Sequence, residues 1–195
     1  MINSASFQSL SDILAMDLKV VFCGINPGAR AAAAGHHFVG RGNRFWRVLH
    51  LAGFTSQELR PENDRAILKY CCGLTTAVER PTARAAELSS NEFVAGSVKL
   101  AQKIERYAPR YIAFLGKAAY SAISHQRKVA WGPQPGVFGA AAVWVLPNPS
   151  GLNRGFSLDD LVRAYRQLYL AACCAMPGDR QPKPLLPLAQ HLPGK

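Results

Sequence analysis

Three short apolar runs, each stopped by a turn signal, constrain this chain more than any other feature. Lys19 to Cys23 (KVVFC) runs into Gly24-Ile25-Asn26-Pro27-Gly28. Tyr111 to Leu115 (YIAFL) stops at Gly116, and Ala142 to Leu146 (AVWVL) runs into Pro147-Asn148-Pro149-Ser150-Gly151. Continuous apolar runs of this length fit strands covered on both faces, as in a parallel sheet. A weaker fourth candidate lies at Gly73 to Thr76. Between the runs, apolar residues recur with a helical period. Phe93, Ser97, Leu100, Ile104 and Tyr107 follow the possible cap Asn91, and Leu158, Leu161, Val162, Tyr165, Leu168 and Tyr169 follow Ser157 and Asp160, which are spaced as a capping box. Phe45, Trp46, Leu49 and Ala52 outline another helix, closed by Gly53. Strands alternating with helices define an α/β layered domain.

A length of 195 residues suits one domain. With 49% hydrophobic and 18% charged residues, the composition excludes a disordered chain. Residues 177–195 hold five of the thirteen prolines, so the sequence divides into a folded domain over 1–176 and an extended, dispensable tail over 177–195. No apolar run approaches the ~18–20 residues that span a bilayer, and Met1 to Ser11 lacks the pattern of a secretory signal. No membrane association is expected. The five cysteines form two adjacent pairs and one single, which matches neither a disulfide framework nor a zinc spacing; reduced thiols and a cytoplasmic location follow as the expectation.

The formal charge is +11 and the pI about 9.8, which favours a polyanionic partner, nucleic acid before membrane. The charge is unevenly placed. Lys19 to Gln57 and Arg106 to Leu158 contain no acid. If these stretches meet in space they form a positive face able to follow a phosphate backbone.

Both stretches carry an Asn-Pro dipeptide directly after a candidate strand, where open α/β sheets bind ligands. Proline fixes its own φ and restricts the residue before it, so Asn26 and Asn148 sit on stiff loops. A rigid amide, with one acceptor and two donors, suits holding a water or reading a base edge. The other reactive side chains have plainer readings. The adjacent His36 and His37 lack a third ligand and read as solvated loop residues. Cys23 reads as a small buried hydrophobe, and Trp46, Trp131 and Trp144 as packing residues. Glu79 and Glu92 read as surface ion-pair partners rather than a catalytic base.

Residues 20–55 (VVFCGINPGARAAAAGHHFVGRGNRFWRVLHLAGFT) and 144–154 (WVLPNPSGLNR) together resemble the mismatch-specific uracil-DNA glycosylases, relatives of thymine-DNA glycosylase within the uracil-DNA glycosylase superfamily. GLTTAVERPT (73–82) and FLGKAAY (114–120) fit as well, and the resemblance runs from about Leu18 to Leu170. It implies a three-layer α/β fold with a central, mostly parallel sheet. It also implies a monomeric, monofunctional glycosylase acting on double-stranded DNA with G·U or G·T mismatches, without metal or cofactor. On the matching motifs, the water-positioning amide falls on Asn26 and the base-stacking aromatic on Phe38. The base pocket extends to Ile25, Ala31 and Asn148, and the helical wedge that contacts the widowed guanine falls on Gly151, Leu152 and Arg154. Ala31, Thr76, His36, His37, Gly40 and Arg41 depart from the bacterial archetype; a small Ala31 implies a roomier pocket.

Two other classes compete: a non-catalytic nucleic-acid-binding module on the same fold, and an enzyme acting on free nucleotides. The presence of Asn26 weighs against the first. The excess positive charge and the Gly151-Leu152-Asn153-Arg154 segment weigh against the second.

Overall fold

A computed structural model describes residues 10–174; the tail over 177–195 lies outside them. The strands are β1 (Val20–Gly24), β2 (Cys72–Thr76), β3 (Tyr111–Leu115), β4 (Gly132–Phe138) and β5 (Ala141–Leu146). They form one sheet in the order β2-β1-β3-β5-β4, parallel except for β4, which pairs antiparallel with β5 at the edge. The helices are α1 (Ala29–Ala34), α2 (Phe45–Ala52), α3 (Ser90–Tyr107), α4 (Lys117–Ser124) and α5 (Leu158–Tyr169). A 3₁₀ segment, Pro61–Tyr70, broken at Asn63, leads into β2.

The two-residue strand period builds two cores. Val20 and Phe22, Ala113 and Leu115, and Trp144 and Leu146 face α2 and α5. Val21 and Cys23, Ile112 and Phe114, and Val143 and Val145 face α3 and α4. Strands β1, β3 and β5 are therefore apolar along their length, the sequence signature of a sheet with helices on both faces. The fold is the expected α/β sandwich of three layers.

Local chemistry sets the element ends. At α5 the Ser157 hydroxyl accepts from the Asp160 N–H (3.1 Å) while the Asp160 carboxylate accepts from the Ser157 N–H (3.0 Å), closing the expected capping box. Helix α3 is capped not by Asn91 but by Ser89, which forms the same box with Glu92. Gly53, at φ +97°, ends α2 in the left-handed region that glycine tolerates best.

Candidate active site

The chain passes from β1 outward to β2, then crosses to β3 on the other side of β1. The carboxyl ends of β1 and β3 therefore flank a topological switch point, where such sheets form ligand crevices. A cavity of about 420 Å³ lies there, a volume within the usual ~300–1,000 Å³ of small-ligand sites. Its wall brings together Ile25, Asn26, Ala31, Phe38, Asn148 and Leu152. Residues of the two acid-free stretches thus meet at one place.

Asn26 is held from one side. Its Nδ2 donates to the Thr82 hydroxyl (2.7 Å) and to the Arg80 carbonyl (2.9 Å). The Thr82 hydroxyl has committed its own proton to the Arg84 carbonyl (2.9 Å), so toward Asn26 it can only accept. That fixes the amide's orientation and leaves Oδ1 as the acceptor available to a water. The two segments are also joined through the backbone: Ala29 N–H donates to Thr82 O, Thr82 N–H to Pro27 O, and Val78 N–H to Ile25 O. The loop after β2 is thereby part of the site. Thr82, Arg84 and Asn43 line the cavity although none was marked in the sequence. The same strand-end rule, applied to the weaker Gly73–Thr76 run, points to Thr82.

Phe38 sits at φ +56°, an uncommon backbone for an aromatic residue. Its ring stacks on Phe45 with centroids 3.8 Å apart. Its neighbour His37 holds the strained turn. The His37 N–H donates to Asp64 Oδ2 (2.9 Å), its carbonyl accepts from Trp46 Nε1 (3.3 Å), and its Nε2 meets the Ser11 carbonyl at 2.9 Å. His37 is only 2% exposed, which corrects the reading of this residue as a solvated loop position. The sequence could not reveal the change: the burying groups, Ser11, Trp46 and Asp64, come from three distant segments. His36 Nδ1 lies 3.5 Å from Asp64 Oδ2 and its side chain is part-covered.

Burial lowers the His37 pKa below its ordinary value near 6.5, against the Ser11 hydrogen bond and the Asp64 charge, which raise it. A carbonyl only accepts, so the neutral ring carries its proton on Nε2. The unfolded chain then takes up a proton below about pH 6.5 that the folded chain refuses, so stability is full above that pH and falls as pH drops through it. His37→Gln is expected to flatten the thermal midpoint between pH 7.5 and 5.5; an unchanged slope would contradict this. The lowered carboxyls titrate below this window: Glu92, held at about 2 by Arg80 and Ser89, and Asp160, held at about 2 by Ser157 and Arg163.

In the loop after β5, Asn148 Oδ1 accepts the Ser150 N–H (2.9 Å) and the Asn148 carbonyl accepts Asn153 Nδ2 (2.9 Å), folding the loop onto itself. Leu152 stands 80% exposed at its tip, an unusual position for a large apolar side chain. The segment is a loop with turns, not the helical wedge expected: Pro147 and Pro149 remove two donors, and the first helical turn begins only at Leu158. Gly151 and Arg154 are exposed on this loop beside the cavity rather than in its wall.

Among the described residues no carboxylate lines the cavity, and Arg84 is the charged residue of its wall. Glu92 pairs with Arg80 (2.7 Å) and Glu79 with Lys103 (3.2 Å), as read from sequence. Cys23 is 1% exposed, and burial pushes its thiol pKa far up, so it is no nucleophile. Among the described residues no group of His, Cys, Asp and Glu has a metal-holding arrangement, and no helix is long and apolar enough to cross a membrane.

The sheet order, the switch-point cavity and an amide-bearing loop define a class that comparison with known proteins makes explicit. Residues 11–169 match the family model of the uracil DNA glycosylase superfamily, and the chain belongs to that superfamily. A solution NMR structure from Methanosarcina acetivorans, a protein proposed to be a uracil DNA glycosylase, shares the fold. The two agree with a TM-score of 0.56 at 22% identity over 83% of this chain and 98% of that one. Superfamily membership brings the general activity, hydrolytic release of a base from DNA.

Proposed function

We propose that the chain is a monofunctional glycosylase that hydrolyses the N-glycosidic bond of uracil, and of thymine or modified pyrimidines, opposite guanine in double-stranded DNA. The observation that supports it most is that Asn26, Phe38 and the exposed Leu152 border one 420 Å³ cavity whose wall, among the described residues, holds no carboxylate. A base within the duplex is out of reach, so it must be swung out, at a cost of a few kcal/mol that a mismatch reduces. Leu152 fills the vacated stack, and Arg154 reaches the orphaned guanine or an adjacent phosphate. The extruded pyrimidine stacks on Phe38 and lies against Ile25, Ala31 and Asn148. The bond from C1′ to the base breaks, its electron pair leaves with the base, and the sugar becomes oxocarbenium-like. A water held by Asn26 Oδ1 adds to C1′ and loses its proton to solvent. An amide is no general base, so the chemistry is slow. The activity resides in residues 1–176, acts as a monomer, is cytoplasmic and uses no cofactor.

A labelled duplex with uracil opposite guanine, or opposite adenine, tests this when treated with alkali after incubation. Strand breakage is expected at G·U and less at A·U. Retention of the duplex without breakage would favour the binding module. Leu152→Ala is expected to slow release from duplex by about 10- to 100-fold, the equivalent of losing one to two tenfold steps of opening free energy, with no change in thermal midpoint.

A further inference from the structure

The strand-end loops account for the cavity but not for Gly40 to Arg44, the segment leading into α2. Arg44 spreads its guanidinium over the second loop. Nη1 donates to the Phe156 carbonyl (2.7 Å), and Nη2 to the Asn153 (2.8 Å) and Ser150 (3.2 Å) carbonyls. Nε reaches the Pro149 carbonyl (3.4 Å), which also accepts the Arg44 backbone N–H (3.0 Å). One residue thus ties both ends and the middle of the Pro149–Phe156 loop. Gly42 closes the join: a Cβ on Gly151 would lie 2.6 Å from the Gly42 carbonyl oxygen. Arg44 is itself anchored, because the next residues, Phe45 and Trp46, are 0% and 5% exposed in the core. At the tip of the tied loop stands Leu152, 80% exposed.

A planar fork with five donors reaches four separate carbonyls in one fixed geometry, whereas a lysine offers three donors on a single point charge. A loop that must enter a duplex loses less freedom on binding if it is already ordered. We infer that Arg44 is a positioning residue that splints the Pro149–Phe156 loop and so sets Leu152 at a fixed place beside the cavity before DNA arrives. The inference rests on the proposed glycosylase reading for its consequence, though not for the splint itself.

The test uses the full chain and the variants Arg44→Gln, Arg44→Lys, Leu152→Ala and the double Arg44→Gln/Leu152→Ala. Hydrogen exchange at residues 150–156 is expected to speed up by at least about 10-fold in Arg44→Gln, because the carbonyl tethers are gone. Single-turnover release of uracil opposite guanine is expected to fall by about 10- to 100-fold in Arg44→Gln. With uracil opposite an abasic analogue, where there is no partner base to displace, the loss shrinks to within about threefold. The double variant is expected to be no slower than Arg44→Gln alone, since both remove one function. A merely structural role would slow both substrates equally and add to Leu152→Ala; either result, or unchanged exchange, overturns the inference. If Arg44→Gln fails to fold, Arg44→Lys carries the same comparisons. If the wild-type chain releases uracil from neither duplex, the glycosylase reading falls, and the exchange data alone decide whether Arg44 orders the loop.

Discussion

Asn26→Ala is expected to stop base release while leaving DNA binding intact. Phe38, Leu152 and the basic residues of the two acid-free stretches survive the change, so duplex affinity should stay within about twofold, since phosphate contacts dominate it. The loss of the water's acceptor should cost at least about 10³-fold in the single-turnover rate, in line with removing a preorganised polar group or misplacing a reactant. Asn26→Asp sharpens the test. A carboxylate would act as a base in an open site, yet here its second oxygen would face the Arg80 carbonyl, an acceptor that Asn26 now meets at 2.9 Å. The tether becomes a repulsion, so Asn26→Asp is expected to remain below wild type. A rate at or above wild type would show that amide orientation does not limit the reaction.

Phe22→Ala is expected to have the largest effect on stability. The ring is fully buried at the centre of β1, edge-on to Phe45 (5.5 Å) and Phe54 (5.2 Å) and stacked with Tyr165 (6.2 Å). Emptying such a site costs about 3–5 kcal/mol, from lost burial plus the cavity left behind. For a domain of this size that lowers the thermal midpoint by roughly 6–20 °C. The damage should reach the site as well, because Phe45 carries Phe38 on its face at 3.8 Å. At a temperature where the variant is still folded, KM for a G·U duplex should rise more than kcat falls. A midpoint within 2 °C of wild type, as roughly expected for a surface change, would contradict the packing described.

Much of this was legible because each buried strand carries its signal in one contiguous run. Val20, Phe22 and Cys23 are apolar whichever face they take, so β1 needs no tertiary knowledge. The edge strand β4 was not legible: Gly132, Pro133, Pro135 and Gly136 obscure any strand pattern, and such residues are tolerated only because an edge leaves donors unpaired. Of the residues that line the cavity, Asn26 and Asn148 were readable from the two Asn-Pro loops, and Phe38 and Leu152 only through the family resemblance. Thr82, which orients Asn26, was not singled out, since a hydroxyl gains its meaning only when the β2 loop folds against β1. Arg44 was visible as a basic residue, but its partners are backbone carbonyls, which no sequence displays. The reading of His37 failed for the related reason that burial by remote segments leaves no local trace.

In the proposed mechanism Asn26 Oδ1 presents a water to the sugar of a swung-out nucleotide. A crystal structure with a duplex carrying 2′-fluoroarabino-uridine opposite guanine tests it directly, because the fluorine suppresses bond cleavage. Expected is uracil against Phe38 and Leu152 in the duplex gap, with a water within hydrogen-bond reach (about 2.6–3.2 Å) of Asn26 Oδ1 and in line with C1′. Uracil still stacked in the helix, or Asn26 with Oδ1 turned toward Thr82 and no water between it and C1′, would contradict the claim.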